Sequence, residues 1–342
     1  MIIDFLSLQI LQFLLLLFIG FIITWCLVPF CIALAVRLQF MDVPDGIIKR
    51  HQGSVPYLGG VAIFLGFFSS LALSYLGSLY ILPSNFFWVI IGLVTLLIVG
   101  LLDDLIVMAP YQKFLAQILA VICFLQAGFY FKEQFLYSNW NIVISCLWIL
   151  IIINAINLID VMDGLATTTV FCATASFAMI AAIIGSQDLF IFAPFLGALL
   201  GFFWYNKPRA RIYMGDAGAL FIGGFLAVAP FLINWSSYNP YGFLIPVVVL
   251  AIPLLEIGTL IIIRTYKKIP FYLGSPDHFC MYLKNGGWEI WDILKYVIAL
   301  SIILSIFSIL FFLNLISLAA FCATGALFLI AWYGVLLYFS SK

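Results

Sequence analysis

Residues 140–164 read WNIVISCLWILIIINAINLIDVMDG. Most of this stretch is one apolar run, close to the ~20 residues that a helix needs to cross the hydrocarbon core of a bilayer. The run does not alternate between apolar and polar residues, as a strand of a membrane barrel would. It therefore predicts a transmembrane helix that ends in amides and carboxylates.

Similar apolar runs recur along the whole chain. Of its 342 residues, 66% are hydrophobic and only 8% are charged, whereas about 25% are charged in a soluble domain. The runs that we expect to cross the membrane are 8–36, 57–81, 86–102, 114–131, 140–158, 165–184, 189–205, 217–234, 240–263, 294–313 and 316–339. We predict an all-α polytopic membrane protein of about eleven transmembrane helices, forming a single domain over residues 1–342.

The basic residues are distributed unevenly between the loops. If alternate loops lie on opposite sides of the membrane, thirteen of the fourteen Lys and Arg residues fall on one side. The other side has only Lys132. Because cytoplasmic loops carry the excess of Lys and Arg, this pattern predicts an N-terminus outside and a cytoplasmic C-terminus. Almost all acidic, amide and histidine side chains of the loops then lie on the cytoplasmic side.

The opening stretch carries polar groups at a regular spacing. Asn154, Asn157, Asp160 and Asp163 follow one another three residues apart, so on a continuous helix they would share one face and end at Gly164. Oxygen ligands of this kind suit Mg²⁺. The alternative is a pair of helix-packing amides followed by an acidic loop.

Two further loops contain carboxylates beside predicted helix ends. Asp103 and Asp104 close the run that ends at residue 102, and Lys113 follows. Adjacent carboxylates near lipid suggest a cation or a proton-transfer task, the alternative being a solvated helix end. Asp216 lies between glycines at a predicted helix start, where free N–H groups could bind phosphate. Its alternative role is that of a capping residue.

The first and last cytoplasmic loops are basic. Lys49 and His51 could bind an anionic ligand, or could serve only as a positive-inside anchor. The last loop, about residues 264–293, contains Arg264, Asp277 and His278.

Glu256 lies inside the ninth run, where a buried acid needs a partner. Arg264 is a candidate neighbour, and a structural role is favoured over a catalytic one.

Together these residues indicate a Mg²⁺-dependent site for a phosphorylated substrate, with a lipid as the second reactant. A secondary transporter is the main alternative, but its polar residues would lie near the bilayer midplane between repeats. Here only Glu256 is mid-run and no repeated half is visible. A non-catalytic assembly scaffold is a third alternative, and it would not need Asp216 and Asn157 intact.

Five motifs in order give the chain a family resemblance. They read HQGSVPYLGG, GLLDD with Lys113 after it, NAINLIDVMDGL, YMGDAGALFIG and SPDHF, between about residues 40 and 285. This set resembles the polyprenyl-phosphate N-acetylhexosamine-1-phosphate transferases. The resemblance implies transfer of a sugar 1-phosphate from a UDP-sugar to polyprenyl (undecaprenyl) phosphate with release of UMP, as the first membrane step of cell-envelope glycan synthesis. It places the protein in the bacterial inner membrane, with the site on the cytoplasmic face.

Within that family, the single His278 and the sequence GDAGA are more similar to the branch that transfers GlcNAc 1-phosphate. UDP-MurNAc-pentapeptide and UDP-N-acetyl-deoxysugars remain alternative donors. The implied partners are a UDP-N-acetylhexosamine, polyprenyl phosphate and the lipid bilayer, without nucleic acid, and a homodimer is an open alternative.

The resemblance also implies roles for individual residues. The metal ligands are Asp216 and Asn157, for Mg²⁺ or alternatively Mn²⁺. The catalytic residues are Asp103, Asp104, Lys113 and Asp216. The substrate-binding residues are Lys49, His51, Asn154, Asp160, Asp163, Arg264, Asp277 and His278. Direct attack by the lipid phosphate is favoured over a phospho-aspartyl intermediate, because a phosphate monoester with a second pKa of about 6 is already largely dianionic at pH 7.

Overall fold

The computed structural model describes residues 2–42, 54–106, 108–132, 137–270 and 275–340. The described chain is a bundle of helices. They are α1 (Ile2–Arg37), α2 (Gly59–Leu76), α3 (Phe86–Ile106), α4 (Pro110–Gln126), α5 (Ser138–Ile159), α6 (Leu165–Ile183), α7 (Leu189–Asn206), α8 (Gly215–Val228), α9 (Ile245–Val249), α10 (Ala251–Tyr266), α11 (Phe279–Asn285), α12 (Ile290–Phe312) and α13 (Leu318–Ser340).

The helices agree with a multi-pass membrane architecture. Among the described residues, nine helical segments are long and apolar enough to cross a membrane. The pair α9 and α10, bent by 67°, gives a tenth if it is one span. Helix α4 has 17 residues, fewer than the ~20 of a typical span. The helical multi-pass class is therefore confirmed, whereas the count of eleven and the orientation of the termini stay predictions.

A short antiparallel strand pair is an exception to the all-α prediction. Strand β1 (Met41–Asp42) pairs with β2 (Val55–Pro56) and joins the end of α1 to the start of α2. Apolar periodicity cannot reveal strands of two residues, because they contain one alternation at most. Strand β2 ends next to the start of α2, and Tyr57 follows this strand directly.

Helices α7 and α8 are the most buried of the long helices that the structure describes. Helix α7 packs against α1, α2 and α6, while α8 packs against α2, α3 and α5. Aromatic rings fill the contact between α7 and α8. The rings of Phe195 from α7 and Phe225 from α8 stack with centroids 3.8 Å apart. Phe67 from α2 meets both rings edge-on. This packing fixes the second half of α8 against α2 and α7.

Small residues let two helices approach the first turn of α8. A Cβ atom on Gly60 of α2 would lie 2.2 Å from the backbone nitrogen of Gly218. A Cβ atom on Gly100 of α3 would lie 2.3 Å from the Cα atom of Ala217. Small residues are the usual means by which membrane helices bring their backbones into contact. Here they bring the end of α3 and the start of α8 together.

The helical ladder predicted for the opening stretch ends early. Helix α5 stops at Ile159, so that Asp160 and Asp163 lie in a turn instead of on a helix face. The prediction of a four-residue ladder is therefore wrong beyond Asn157. The expected turn at Gly164 is confirmed, since this residue has a left-handed φ of 74°, a conformation that suits glycine.

Candidate active site

Lys113 lies between two carboxylates from different helices. Its Nζ atom is 2.5 Å from Oδ2 of Asp103, at the end of α3, and 2.7 Å from Oδ2 of Asp216, in the first turn of α8. The side chains of Lys113 and Asp216 are 27% and 30% exposed. A ligand can therefore reach the ion pairs from outside the bundle.

Asn157 completes this group from α5. Its Nδ2 atom donates a hydrogen bond to Oδ1 of Asp216 over 3.1 Å. The carboxylate of Asp216 thus has one oxygen against an ammonium and the other against an amide. We call Asp103, Lys113, Asn157 and Asp216 the lysine cluster. Three of the predicted polar loops meet in it, as a common site requires.

Asp104 has a different task from its neighbour Asp103. Its Oδ1 and Oδ2 atoms accept hydrogen bonds from the N–H groups of Asp216 (2.9 Å) and Ala217 (3.2 Å). The carboxylate thereby caps the N-terminus of α8, where anions interact favourably with the helix dipole. Our expectation that these N–H groups are open to phosphate is wrong, because Asp104 occupies them. Gly215, with φ at 71°, leaves room for this contact.

Asp163 organises the loop before α8. Its Oδ2 atom accepts hydrogen bonds from the N–H groups of Arg209 (3.1 Å) and Ala210 (3.0 Å). Arg209 has a left-handed φ of 70°, which costs a residue with a Cβ atom free energy. The two hydrogen bonds from this loop offset that cost and tie it to the turn after α5.

Asp160 lies partly buried beside the lysine cluster. Burial, followed by the negative charges of Asp216, Asp104 and Asp163, raises the pKa of Asp160 to about 7. Its carboxyl group therefore takes up a proton near neutral pH, where an ordinary aspartate is ionised. Asp103 and Asp216 share the ammonium group of Lys113, and Asp160 adds a carboxyl group beside Asp216, so this part of the site is favourable for a further positive charge.

Asn154 has a hydrogen-bond partner, Gln117, that was not predicted as a site residue. Its Nδ2 atom donates to Oε1 of Gln117 on α4 over 2.7 Å, and Nε2 of Gln117 donates back to Oδ1 of Asn154 over 3.2 Å. Gln117 is 3% exposed. The predicted substrate-binding residue thus joins α4 to α5 in this structure. A glutamine inside an apolar run, four residues after Lys113, was the available signal.

Two tyrosines beside the site were also missed. The rings of Tyr57 and Tyr213 have centroids 6.4 Å apart. Burial, then the hydrogen bond and charge of Asp42, raise the pKa of Tyr57 far above its ordinary value. Burial and the charges of Asp163, Asp42 and Asp160 raise the pKa of Tyr213 to about 12. Both tyrosines adjoin the glycine-containing motifs YLGG and YMGD, which was the signal in the sequence.

A second group of charged residues joins α10 to the loop before α11. We call Glu256, Arg264, Lys267, Asp277 and His278 the histidine cluster. Arg264 was the predicted neighbour of Glu256. The structure adds His278 as a hydrogen-bond partner of Glu256, with Nδ1 and Oε1 2.9 Å apart. Nε of Arg264 donates to Oγ of Ser275 over 3.0 Å.

Within the histidine cluster, Lys267 and Asp277 form an ion pair with Nζ and Oδ1 2.6 Å apart. Burial raises the pKa of Asp277, but the hydrogen bond and charge of Lys267 outweigh it, so the pKa lies below the ordinary value. Helix α10 packs against α5, which carries Asn157. The predicted ligands Lys49 and His51 lie outside the described residues.

Oxygen ligands for a cation are available at the lysine cluster. Across the parts of the chain that the structure describes, no three His, Cys, Asp or Glu side chains are close enough to hold a metal ion by themselves. Asp216 and Asn157 offer a carboxylate and an amide oxygen from two helices. This donor set suits Mg²⁺, which often takes one or two carboxylates and completes its shell with water and substrate phosphates.

The fold and this site define a multi-pass membrane protein with an acidic, lysine-containing site at its helix ends. Residues 86–234, which include the whole lysine cluster, match Glycosyl transferase family 4. The chain belongs to this family, as the following relatives also show.

The chain is 31% identical over 316 residues to the phospho-N-acetylmuramoyl-pentapeptide-transferase of Lacticaseibacillus paracasei, covering 78% of this chain and 92% of that protein. It is 29% identical over 308 residues to the protein of the same name from Staphylococcus epidermidis, covering 80% and 91%. A probable undecaprenyl-phosphate N-acetylglucosaminyl 1-phosphate transferase of Bacillus subtilis is 29% identical over 262 residues, covering 73% and 70%.

Proposed function

We propose that the protein transfers N-acetylglucosamine 1-phosphate from UDP-GlcNAc to undecaprenyl phosphate and releases UMP. The observation that carries this proposal is the contact of Lys113 with both Asp103 and Asp216, from two other helices. The cluster lies at helix ends, where a water-soluble donor and a lipid acceptor can meet. The name of the Bacillus subtilis relative supports this donor and this acceptor, as do the single His278 and the sequence GDAGA.

In the proposed reaction, an oxygen of the lipid phosphate attacks the phosphorus that carries the sugar. A new P–O bond forms while the P–O bond to UMP breaks, and UMP departs with the electron pair of that bond. Catalysis of such a transfer depends mostly on positioning and on neutralising charge. Lys113 supplies positive charge to the diphosphate, while Asp103 holds its ammonium group at 2.5 Å and so positions the lipid phosphate. Direct attack needs no strong base.

We assign Asp216 and Asn157 as the residues that hold Mg²⁺, with Mn²⁺ as a substitute. The surplus of carboxylates supports this assignment, because Asp103 and Asp216 share Lys113 and Asp160 adds a further carboxyl group beside Asp216. When bound, Mg²⁺ neutralises charge on the diphosphate as a Lewis acid. Asp104 holds the first turn of α8, which keeps Asp216 in place. Asp160 and Asp163 lie on the nucleotide side in this proposal.

UDP-MurNAc-pentapeptide is the second candidate donor. The relatives named as phospho-N-acetylmuramoyl-pentapeptide-transferases from Lacticaseibacillus paracasei and Staphylococcus epidermidis align over more than nine tenths of their own length. The two donors share the UDP and N-acetylhexosamine groups, so the same cluster could process either one. A UDP-N-acetyl-deoxysugar is the remaining alternative.

We further propose that the lysine cluster faces the cytoplasm of a bacterial inner membrane. The supporting observation is that the basic residues of the sequence collect in the loops on the same side as this cluster, which is the pattern of cytoplasmic loops. UDP-sugars are cytoplasmic metabolites, so this orientation gives the donor access to Lys113 without transport.

The test is UMP release by the purified protein with Mg²⁺ and undecaprenyl phosphate, with UDP-GlcNAc, UDP-GalNAc and UDP-MurNAc-pentapeptide offered separately. We expect release with UDP-GlcNAc and loss of release in Asp216→Asn. Asp188→Asn is the matched control, because this aspartate pairs with Tyr80 and Ser186 away from the lysine cluster. Release with UDP-MurNAc-pentapeptide alone would select the second donor. Release by Asp216→Asn at the native rate would contradict the proposal.

A further inference from the structure

Glu256 is a fully buried acid that contacts the start of α11. Its side chain lies on α10 at 0% exposure, and its partner His278 is 6% exposed. Nδ1 of His278 lies 2.9 Å from Oε1 of Glu256. A buried carboxyl group without partners would be costly, so this contact accounts for an acid inside a hydrophobic run.

The backbone next to His278 binds the same carboxylate. The N–H group of Phe279 donates to Oε2 and Oε1 of Glu256 over 3.3 and 3.4 Å. Hydrogen bonds from backbone N–H groups stabilise an ionised carboxylate. A carboxylate can only accept hydrogen bonds, so in a contact with an ionised Glu256 the shared proton belongs to Nδ1 of His278.

If Glu256 holds a proton on Nδ1, Nε2 is the ring nitrogen that is left for other contacts. The hydrogen bond at one imidazole nitrogen sets the state of the other nitrogen. We propose that Glu256 is a positioning residue for the transfer reaction: it fixes the ring orientation and the Nδ1 proton of His278, so that Nε2 is the atom that contacts the donor. This inference rests on the proposed function and on the family resemblance, which implies that His278 binds the substrate.

The surrounding loop has two other anchors to α10. Arg264 donates to Ser275, and Lys267 pairs with Asp277, which also accepts a hydrogen bond from Tyr282 over 3.3 Å. Ser275 and Asp277, which lie just before His278, therefore stay attached to Arg264 and Lys267 when Glu256 is replaced. A substitution of Glu256 thus tests the orientation of the His278 ring more than the attachment of the loop.

The first variant is Glu256→Met, which keeps the length of the side chain and removes both acceptor oxygens. The conservative variant is Glu256→Gln, which keeps one acceptor oxygen. The matched control is Thr259→Val, which removes another buried hydrogen bond of α10, the one that Thr259 accepts from Nε1 of Trp332 over 3.2 Å. The control leaves every contact of Glu256 in place.

The first measurement is steady-state UMP release with UDP-GlcNAc and undecaprenyl phosphate. Loss of a partner that orients a functional histidine typically reduces activity about 10- to 100-fold, shown best for metal-bound histidines. We expect that loss in kcat for Glu256→Met, partial recovery in Glu256→Gln, and a KM for undecaprenyl phosphate that stays within about twofold. Equal losses in Glu256→Met and Thr259→Val would overturn the proposal.

The second measurement is ¹⁵N NMR of protein labelled at histidine, which needs no activity. The chain has only two histidines, and the signal lost in His278→Asn assigns the other to His51. We expect a protonated Nδ1 in the native protein and a shift of the proton toward Nε2 in Glu256→Met. A native His278 with an unprotonated Nδ1 would overturn the proposal. If the native protein releases no UMP, the proposed function fails, and this measurement still decides whether Glu256 fixes the ring.

Discussion

The lysine cluster and the histidine cluster both combine carboxylates with cations, but they are built differently. In the lysine cluster, Lys113 and Asp216 are separated by 103 positions in the chain, and two carboxylates share one ammonium. In the histidine cluster, Lys267 and Asp277 are ten positions apart, and Glu256 has His278 as a partner of its own. The first cluster has a surplus of negative charge, whereas the second pairs each acid with a donor.

This difference suggests a division of tasks. A site with surplus carboxylates favours an added cation, and its partly exposed side chains admit a ligand. A cluster of matched pairs fixes the conformation of a loop, because each buried charge already has its partner. The lysine cluster is therefore the place where we expect chemistry, and the histidine cluster is the place where we expect positioning.

The largest expected effect is the difference in turnover between substitutions of one aspartate in each cluster. Asp216→Asn removes the carboxylate proposed to hold the metal, a loss of several kcal/mol in transition-state stabilisation, or about 10³-fold in turnover. Asp277→Asn leaves the lysine cluster intact and should reduce turnover by about tenfold or less. Rates of UMP release from both purified variants check this. Equal losses would remove the distinction between the clusters.

The next effect compares the two lysines. Lys113→Met should reduce turnover about 10²-fold, because it leaves Asp103 and Asp216 without their shared cation. Lys267 pairs with Asp277 in the histidine cluster, where we expect positioning, so Lys267→Met should reduce turnover by about tenfold or less. The comparison uses saturating donor in both cases. A greater loss of turnover in Lys267→Met than in Lys113→Met would contradict the division of tasks between the two clusters.

A smaller effect distinguishes the two asparagines of α5. Asn154→Leu leaves Gln117 without its partner and should lower the free energy of unfolding by about 1–3 kcal/mol, with turnover reduced only a few-fold. Asn157→Leu should mainly lower turnover and raise the Mg²⁺ concentration needed for half-maximal rate. Thermal unfolding in detergent and Mg²⁺ titrations measure the two effects. A lowered Mg²⁺ response in Asn154→Leu alone would contradict this division.

The smallest effects are opposite pH dependences of stability in metal-free protein. The pKa of Asp160 is raised to about 7, so the folded chain binds more protons than the unfolded one above pH ~4, and stability falls as the pH rises toward 7. The stability of Asp160→Asn relative to the native protein should therefore increase as the pH rises from 5 to 8.

Asp277 has the opposite sign, because its folded pKa is lowered. Its contribution to stability is present above the unfolded pKa of about 3.9 and is lost as the pH falls through the folded value. Asp277→Asn should destabilise the protein at pH 7, and this deficit should shrink below about pH 4. Thermal midpoints across pH, in the presence of EDTA, measure both variants. Parallel pH dependences of the two would contradict the account.

Much of the fold follows from the sequence because the bilayer permits few solutions. Unpaired backbone groups are too costly in lipid, so long apolar runs must become helices. Each of the predicted runs overlaps a helix of the structure, including α4 and the bent pair α9 and α10. The two-residue strands and the seven-residue helix α11 were missed, since such short elements carry no readable periodicity.

Some of the residues that form the candidate site could also be predicted from the sequence. Asp103, Lys113, Asn157 and Asp216 were chosen from polar groups at the ends of apolar runs, and the structure places them in contact. Their detailed partners could not be predicted. The cap that Asp104 places on α8 depends on how closely two helices approach in space, and spacing along the chain does not contain that information.

Transfer of the sugar phosphate to the lipid can be followed with a radioactive label. UDP-GlcNAc labelled with ³²P on the phosphate that carries the sugar is incubated with undecaprenyl phosphate, Mg²⁺ and native, Asp188→Asn or Asp216→Asn protein. We expect the label to pass into the organic-soluble lipid with the native and Asp188→Asn proteins and not with Asp216→Asn. Labelled lipid formed by Asp216→Asn at the native rate, or no labelled lipid with the native protein, would contradict it.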